Sequence, residues 1–207
     1  MATGGRAFGI VPAAGQSRRM GSPKLLLKVQ DEAIIDHVLR AWTTSRVDRV
    51  FVVVRDDDRS LQQRCQQWPV DVVLTKGATS DMRRSVEFGL KAIASTHSPN
   101  SFDRWLLAPA DIPTINATVI DQVVVSGQGN CNIVLPTFSG QRGHPVSFPW
   151  SLSDEVFELP VDCGINRLLD GRHLLKTVAI AGSTPQFDID TPEDLHSAYR
   201  IHDAKNR

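Results

Sequence analysis

Cysteine is scarce in this 207-residue chain, and net charge is absent. Only Cys65, Cys131 and Cys163 occur, far apart, odd in number and without a C-x-x-C pair. That spacing excludes a disulfide framework and a cysteine-rich zinc site, and it fits a reducing cytoplasm, the location expected for the chain. Lysine plus arginine number 23, and so do aspartate plus glutamate. The basic excess that bulk nucleic-acid binding favours is therefore missing. No apolar run approaches the roughly 20 residues of a membrane helix. The opening MATGGRAFGIVPAAG has no apolar segment behind a basic head, so no secretory leader is expected. Two phosphate-binding fingerprints are also missing. There is no G-x-x-x-x-G-K-[ST], because Lys24 follows Pro23 and precedes Leu25, and there is no G-x-G-x-x-G. A P-loop hydrolase and a dinucleotide-dependent dehydrogenase both lose ground. What remains is 41% hydrophobic and 22% charged, ordinary for a soluble domain with its own core.

Within that composition, apolar runs of strand length alternate with segments of helical period. AFGIVPA (7–13) reads as a first buried strand, and RVFVVVR (49–55) as a central parallel one. VDVVLT, the start of RWLLAPADIP and LLKTVAIA read as further strands. Between them, IIDHVLRAW places Ile34, Ile35, Val38, Leu39 and Trp42 on one helical face. RSLQQRCQQW is a second helix, begun by Asp56–Asp57–Asp58. SDMRRSVEFGLKAIAS predicts a helix capped by Ser80 or Asp81, with Met82, Val86, Leu90 and Ile93 buried and Arg83 and Arg84 on a solvated face. NATVIDQVVVSG is a helix capped by Asn116. NIVLPTFSGQRGHPVSF predicts two strands about a glycine-rich turn, INRLLDG a short helix stopped at Gly171, and TPEDLHSAYRIHDAK a last helix capped by Thr191. The alternation predicts an α/β fold: one domain over 1–207 with a doubly wound, mostly parallel sheet and a small β insert near 136–172. Ligands of such sheets sit at the carboxyl ends of the strands.

The stretch after the first strand, GIVPAAGQSRRMGSPKLLL, is unusual there. Glycine lets a backbone approach a ligand, successive N–H groups form an anion-binding concavity, and Arg or Lys add charge-assisted bonds. Gly15, Ser17, Arg19, Gly21 and Lys24 are thus a candidate phosphate cradle; the alternative is a solvated loop with ordinary positive charges. Asp111 ends an apolar strand before Pro113, where an ionised carboxylate is costly unless paired or bound to a cation. Capping of a turn is the alternative. In FDIDTPEDL, Asp188 and Asp190 share one face at strand spacing, so a metal or basic neighbour is expected.

PAAGQSRRMGSPKLLL resembles the signature of MobA-like nucleotidyltransferases, roughly L-A-A-G-x-S-x-R-M-G-x-x-K-x-L-L. Ala13, Ala14, Gly15, Ser17, Arg19, Met20, Gly21, Lys24, Leu26 and Leu27 all fall in place. D-I-P at 111–113, SDMRRSVEFGL, GQRGHPV, VDCGINRLL and DIDTPEDL follow in family order, across nearly the whole chain. Val161 and Asn166 depart from the family's G-D-x-G-A-R-x-L-L. Among its branches, the likeness is to the molybdenum cofactor cytidylyltransferases. The resemblance implies Mg²⁺ on Asp111 and Asp190, with Asp188 close behind, and a nucleoside triphosphate on Ala13, Ala14, Gly15, Ser17, Arg19, Gly21, Lys24, Ser80 and Ser85. It implies catalytic roles for Arg19, Lys24 and Asp111, and acceptor contacts from His144, Asp162 and Arg167, with Arg83 or Arg84 reaching acceptor phosphate as a further option. CTP is the expected nucleotide, because guanylyl enzymes tend to carry A-G-G where this chain has Ala13-Ala14-Gly15, and a Cβ at Ala14 would narrow the base site. Molybdopterin is the expected acceptor, and a molybdoenzyme or its chaperone a further partner. Open alternatives are guanylyl transfer to the same cofactor, transfer to methylerythritol, sugar or lactyl phosphate, and a non-enzymatic protein that binds nucleotide and delivers the cofactor.

Overall fold

The computed structural model describes residues 4–15, 24–29, 31–77, 81–181, 189 and 194. In chain order the strands are β1 (Ala7–Pro12), β2 (Lys28–Val29), β3 (Glu32–Ala33), β4 (Arg49–Arg55), β5 (Asp71–Thr75), β6 (Arg104–Leu107), β7 (Ile133–Phe138), β8 (Gln141–Arg142), β9 (Val146–Pro149) and β10 (Leu175–Ala179). The α-helices are α1 (Ile34–Thr43), α2 (Arg59–Cys65), α3 (Met82–His97), α4 (Ala117–Gly127) and α5 (Ser153–Glu158). Among the described residues one sheet runs β10-β7-β9-β6-β1-β4-β5, with β8 paired to β7. β5, β4, β1 and β6 are mutually parallel, as are β10 and β7, while β9 is antiparallel to both its neighbours.

The continuous apolar runs follow from burial on both faces. Along β1, Ala7 and Val11 join an apolar layer with α1 and α4, whereas Phe8 and Ile10 join a second with α3 and α5. β4 splits likewise, Val50, Val52 and Val54 one way, Phe51 and Val53 the other. A strand covered twice has no polar side, so period-2 alternation disappears from its sequence. Gly9 faces the Trp42 indole, and a Cβ there would lie 2.8 Å from the ring.

Of the two expected caps, Asp81 does cap α3, its carboxylate accepting from the Arg84 N–H at 3.0 Å, but other expectations change. Met82 is 43% exposed, and the buried face of α3 is carried by Ser85, Val86, Gly89, Leu90 and Ile93. Arg83 is buried, not solvated. Its Nη1 donates to the carbonyls of Leu159 (2.7 Å) and Pro160 (2.5 Å), and Glu87 lies 3.1 Å from Nε. The small β insert expected near 136–172 joins the main sheet: β9 lies between β6 and β7, and a short β8 makes three strands where two were expected. The expected caps by Asp58 and Asn116 are present, and Gly171 follows the 3₁₀ turn Ile165–Leu169 with φ +81°. The expected last helix from Thr191 lies outside the described residues. No helix among the described residues is long and apolar enough to cross a membrane.

One buried carboxylate fastens α1 to α2. Asp36 accepts from Arg64 Nη2 (2.6 Å), Trp68 Nε1 (3.0 Å) and the Ala33 N–H (3.2 Å). Burial alone would raise its pKa; the bonds from Arg64 and Trp68 more than offset this and hold it below the ordinary carboxylate value. Such a group stabilises the fold above the unfolded-state pKa, about 3.9, and loses that contribution as pH falls through its depressed folded value. Asp36→Ala is expected to cost about 2–4 kcal/mol at pH 7, because the Trp68 and Ala33 donors are left unpaired. Urea titrations should show the gap between the two proteins shrinking below pH 4.

Candidate functional site

The carboxyl ends of β1 and β6 lie side by side, and the chain continues their pairing past each strand. Ala108 donates to the Ile10 carbonyl (3.3 Å) and Ala110 to that of Pro12 (3.2 Å). On the other side Ala13 donates to the Val53 carbonyl (2.8 Å). Asp111 therefore emerges beside the 13–15 loop, anchored by Ile112 and Ile115 in the core.

Lys24 reaches the same place from another direction. It opens the 3₁₀ turn Lys24–Leu26, whose Leu25 and Leu26 pack on the core beneath α1. Its Nζ lies 2.7 Å from Asp111 Oδ2, with side chains 12% and 22% exposed. The other carboxylate oxygen, Asp111 Oδ1, is buried and has no hydrogen-bond partner among the described residues. A buried lone-pair site left unmade costs free energy unless something fills it. The Asp111 carbonyl accepts from the Ile189 N–H at 3.1 Å, and Ile189 is fully buried against Val29 and Ile34. Ile189, the middle residue of DID, is thus tied directly to Asp111. Asp188 and Asp190 themselves lie outside the described residues, as do Ser17, Arg19, Gly21 and Ser80.

His144 completes this rim. Its Nδ1 lies 3.3 Å from the Leu107 carbonyl, and the following peptide bond to Pro145 is cis. Burial pushes the imidazole pKa below its ordinary value, against the pull of the Leu107 carbonyl and the Asp111 charge. The ring is accordingly neutral at pH 7, suited to hydrogen bonding rather than to holding phosphate by charge. Among the described residues no three His, Cys, Asp or Glu side chains cluster as metal ligands.

The remaining expected residues are placed differently. Ala13 and Ala14 are buried, and the Ala14 methyl sits in the apolar layer with Val86. Contacts from these two positions to a ligand would therefore come through the backbone, and a base-narrowing role for the Ala14 side chain loses its basis. Gly15 is exposed, and a Cβ on it would meet nothing within 4 Å among the described residues. Ser85 is buried in the first turns of α3. Asp162 and Arg167 are exposed on the stretch after α5, where Arg167 lies 3.4 Å from Asp170, and neither is among the described contacts of Lys24 or Asp111. Sequence reading missed what fixes that stretch, namely Arg83 holding the Leu159 and Pro160 carbonyls. The only hint was its i,i+4 spacing to Glu87.

Residues 9–178 match the MobA-like NTP transferase domain. The chain belongs to this family. Its fold is the α/β fold of nucleotidyltransferases, with a mostly parallel central sheet, and its activity class is nucleotidyl transfer. Among its relatives, purine catabolism protein PucB of Bacillus subtilis (strain 168) is 28% identical over 204 residues, covering 93% of this chain and 96% of that protein. The molybdenum cofactor cytidylyltransferase of Escherichia coli (strain K12) is 24% identical over 191 residues, covering 91% and 93%. In structure, the chain is similar to Rv0371C of Mycobacterium tuberculosis H37Rv, crystallised in complex with manganese (TM-score 0.76, 22% identity, 94% of this chain and 98% of that one). Within the MobA-like family, then, Lys24 and Asp111 are the described residues that the fold brings into direct contact at the strand ends.

Proposed function

We propose that this nucleotidyltransferase is a Mg²⁺-dependent cytidylyltransferase that moves CMP from CTP to the terminal phosphate of a molybdopterin acceptor. The observation that carries the reading is Asp111: a carboxylate at the strand ends, one oxygen on Lys24 and the other buried and unpartnered among the described residues. Such an oxygen fits a hard cation, which takes carboxylate ligands together with phosphate oxygens. Asp111 would hold it, with Asp190 or Asp188 as the second carboxylate. When bound, the ion supplies charge neutralisation at the α-phosphate and the departing pyrophosphate.

The chain's own groups do the rest. Backbone N–H groups of the 13–15 loop, with Ser17, Arg19, Gly21 and Lys24, would bind the triphosphate and steady the leaving charge. An oxygen of the acceptor phosphate attacks the α-phosphorus; the bond from that phosphorus to the bridging oxygen breaks, and pyrophosphate carries the electron pair away. No protein nucleophile is required, so positioning dominates. The exposed stretch with Asp162 and Arg167, held by Arg83, and neutral His144 would face the acceptor. The name of the Escherichia coli relative supports CTP and the molybdenum cofactor. PucB, by its name a purine catabolism protein, is matched over slightly more of the chain, so the acceptor requires its own test.

Thermal unfolding with CTP, GTP, ATP or UTP, each with and without Mg²⁺, tests the reading. A ligand at 100 times its dissociation constant stabilises by about 2.7 kcal/mol. The expected result is a Mg²⁺-dependent shift with CTP above the other three. A preference for GTP would transfer the assignment to guanylyl transfer, and no response to any nucleotide would overturn it.

A further inference from the structure

We propose that Arg83 is a positioning residue for the acceptor: it fixes where Asp162 stands, and so governs use of the acceptor rather than of the nucleotide. The inference rests on the nucleotidyltransferase reading above, in which the stretch carrying Asp162 and Arg167 meets the acceptor. Arg83 lies in the first turn of α3. That helix follows β5, and β5, β4 and β1 are parallel, so it starts at the same strand ends as Asp111 and the 13–15 loop. Whatever Arg83 holds is thereby held at that rim.

What it holds is chain with little support of its own. None of the residues 157–164 is buried, and Leu159 is only partly packed on the apolar layer below. The flanking buried side chains are Val156 before and Ile165 after. Between these anchors, Arg83 Nη1 donates to the Leu159 and Pro160 carbonyls at 2.7 and 2.5 Å. The Pro160 carbonyl also accepts from the Cys163 N–H at 2.9 Å, which closes a turn with Val161 and Asp162 at its centre. The turn that displays Asp162 is thus pinned at its first residue by a side chain from another element. Arg83 is 8% exposed and is itself aligned: Glu87 Oε1 lies 3.1 Å from its Nε, and Arg84 Nη1 donates to Glu87 Oε2 at 2.8 Å. Bonds from a charged donor are the stronger kind, and a planar fork fixed at its base aims them in one direction. With Nη1 occupied by two carbonyls and the side chain buried, Arg83 works through the turn and not on the acceptor phosphate itself.

Arg83→Lys tests the role in the full chain. Lysine retains a charge beside Glu87 but ends one bond short of Nη1, so the two carbonyls lose their donor. Pyrophosphate release is measured with CTP, Mg²⁺ and molybdopterin, CTP binding by equilibrium dialysis, and order in the turn by amide hydrogen exchange of peptides spanning 159–169. The expected result is a fall of about tenfold or more in kcat/KM for molybdopterin, with the CTP dissociation constant within about threefold of wild type. Exchange over 159–169 should be faster than in wild type, while the second half of α3 exchanges as before. Arg83→Gln provides the same comparison should the Lys variant fail to fold. An unchanged kcat/KM for molybdopterin, an equal loss of CTP binding, or unchanged exchange over 159–169 would overturn the positioning role. Failure of the underlying reading gives a different pattern: wild type itself releases no pyrophosphate with molybdopterin, which removes the acceptor and the role of Arg83 with it, whatever the exchange shows.

Discussion

Asp111→Asn is expected to lower the rate of pyrophosphate release by about 10²- to 10³-fold or more, equivalent to roughly 3–4 kcal/mol of lost transition-state stabilisation. Asparagine keeps the shape and loses the charge. The fold should survive, because the Ile189 N–H bonds the backbone carbonyl of residue 111, not its side chain, and Ile112 and Ile115 still anchor the segment. Triphosphate binding should change little by comparison, since the 13–24 loop supplies most of the phosphate contacts in this reading. The signature is therefore a fall in kcat while equilibrium dialysis at raised CTP concentration still finds CTP bound to the variant. Equal activity of the two proteins would remove Asp111 from the reaction. A wild type that binds nucleotide but never releases pyrophosphate, with molybdopterin or any other phosphorylated acceptor, would favour the cofactor-delivery alternative.

The parts of this site that could be read from sequence share one property: their information is local. The run Arg49–Arg55 is β-branched because both its faces are covered, and it forms β4 end to end. Asp58 and Asn116 announce helix starts because a side chain two or three residues before an exposed N–H can cap it. Asp111 stood out because a carboxylate after an apolar strand demands a partner, and the partner, Lys24, lies 87 residues away in the other motif. What could not be read depends on distant main-chain carbonyls, which leave no spacing in the sequence. Arg83 looked like part of a solvated face, yet its guanidinium is aimed at carbonyls 76 and 77 residues on. Met82 fits the apolar period but is the first residue of α3, and its side chain is 43% exposed. Asp36 sits on the apolar face of α1 because α2 and the turn after it return Arg64 and Trp68 to it. The order of β7, β9 and β6 was equally hidden, since apolar patterning fixes that a strand is buried, not which neighbours it has.

Arg104→Met is expected to destabilise the fold by about 3–5 kcal/mol, the range of losing a buried charged anchor. Arg104 lies on β6 at 5% exposure, and among the described residues no carboxylate pairs with it. Its charge is held instead by carbonyl oxygens: Nη1 donates to Gly127 (3.1 Å) and Asn130 (2.9 Å), Nη2 to Asn132 (2.6 Å) and Ser147 (3.2 Å), while Nε donates to Ser147 Oγ (2.8 Å). One side chain thus closes the carboxyl end of α4, the turn into β7 and strand β9. Burial pulls its pKa down to about 10, which still leaves it charged at pH 7. Methionine fills much of the volume but leaves four carbonyls facing an apolar group, each an unmade bond in a dry place. Lysine should rescue only part of the loss, because three donors on one atom cannot span oxygens that a planar fork reaches together. Gly127 supplies an internal check. A Cβ there would lie 2.5 Å from Arg104 Nε, so Gly127→Ala should cost about 1–3 kcal/mol in wild type. In the Arg104→Met background the rigid fork is gone and the added methyl meets a flexible chain, so the second substitution should cost clearly less. Urea unfolding of the two single variants and the double variant measures that coupling. Strict additivity would mean that the guanidinium is not what Gly127 makes room for.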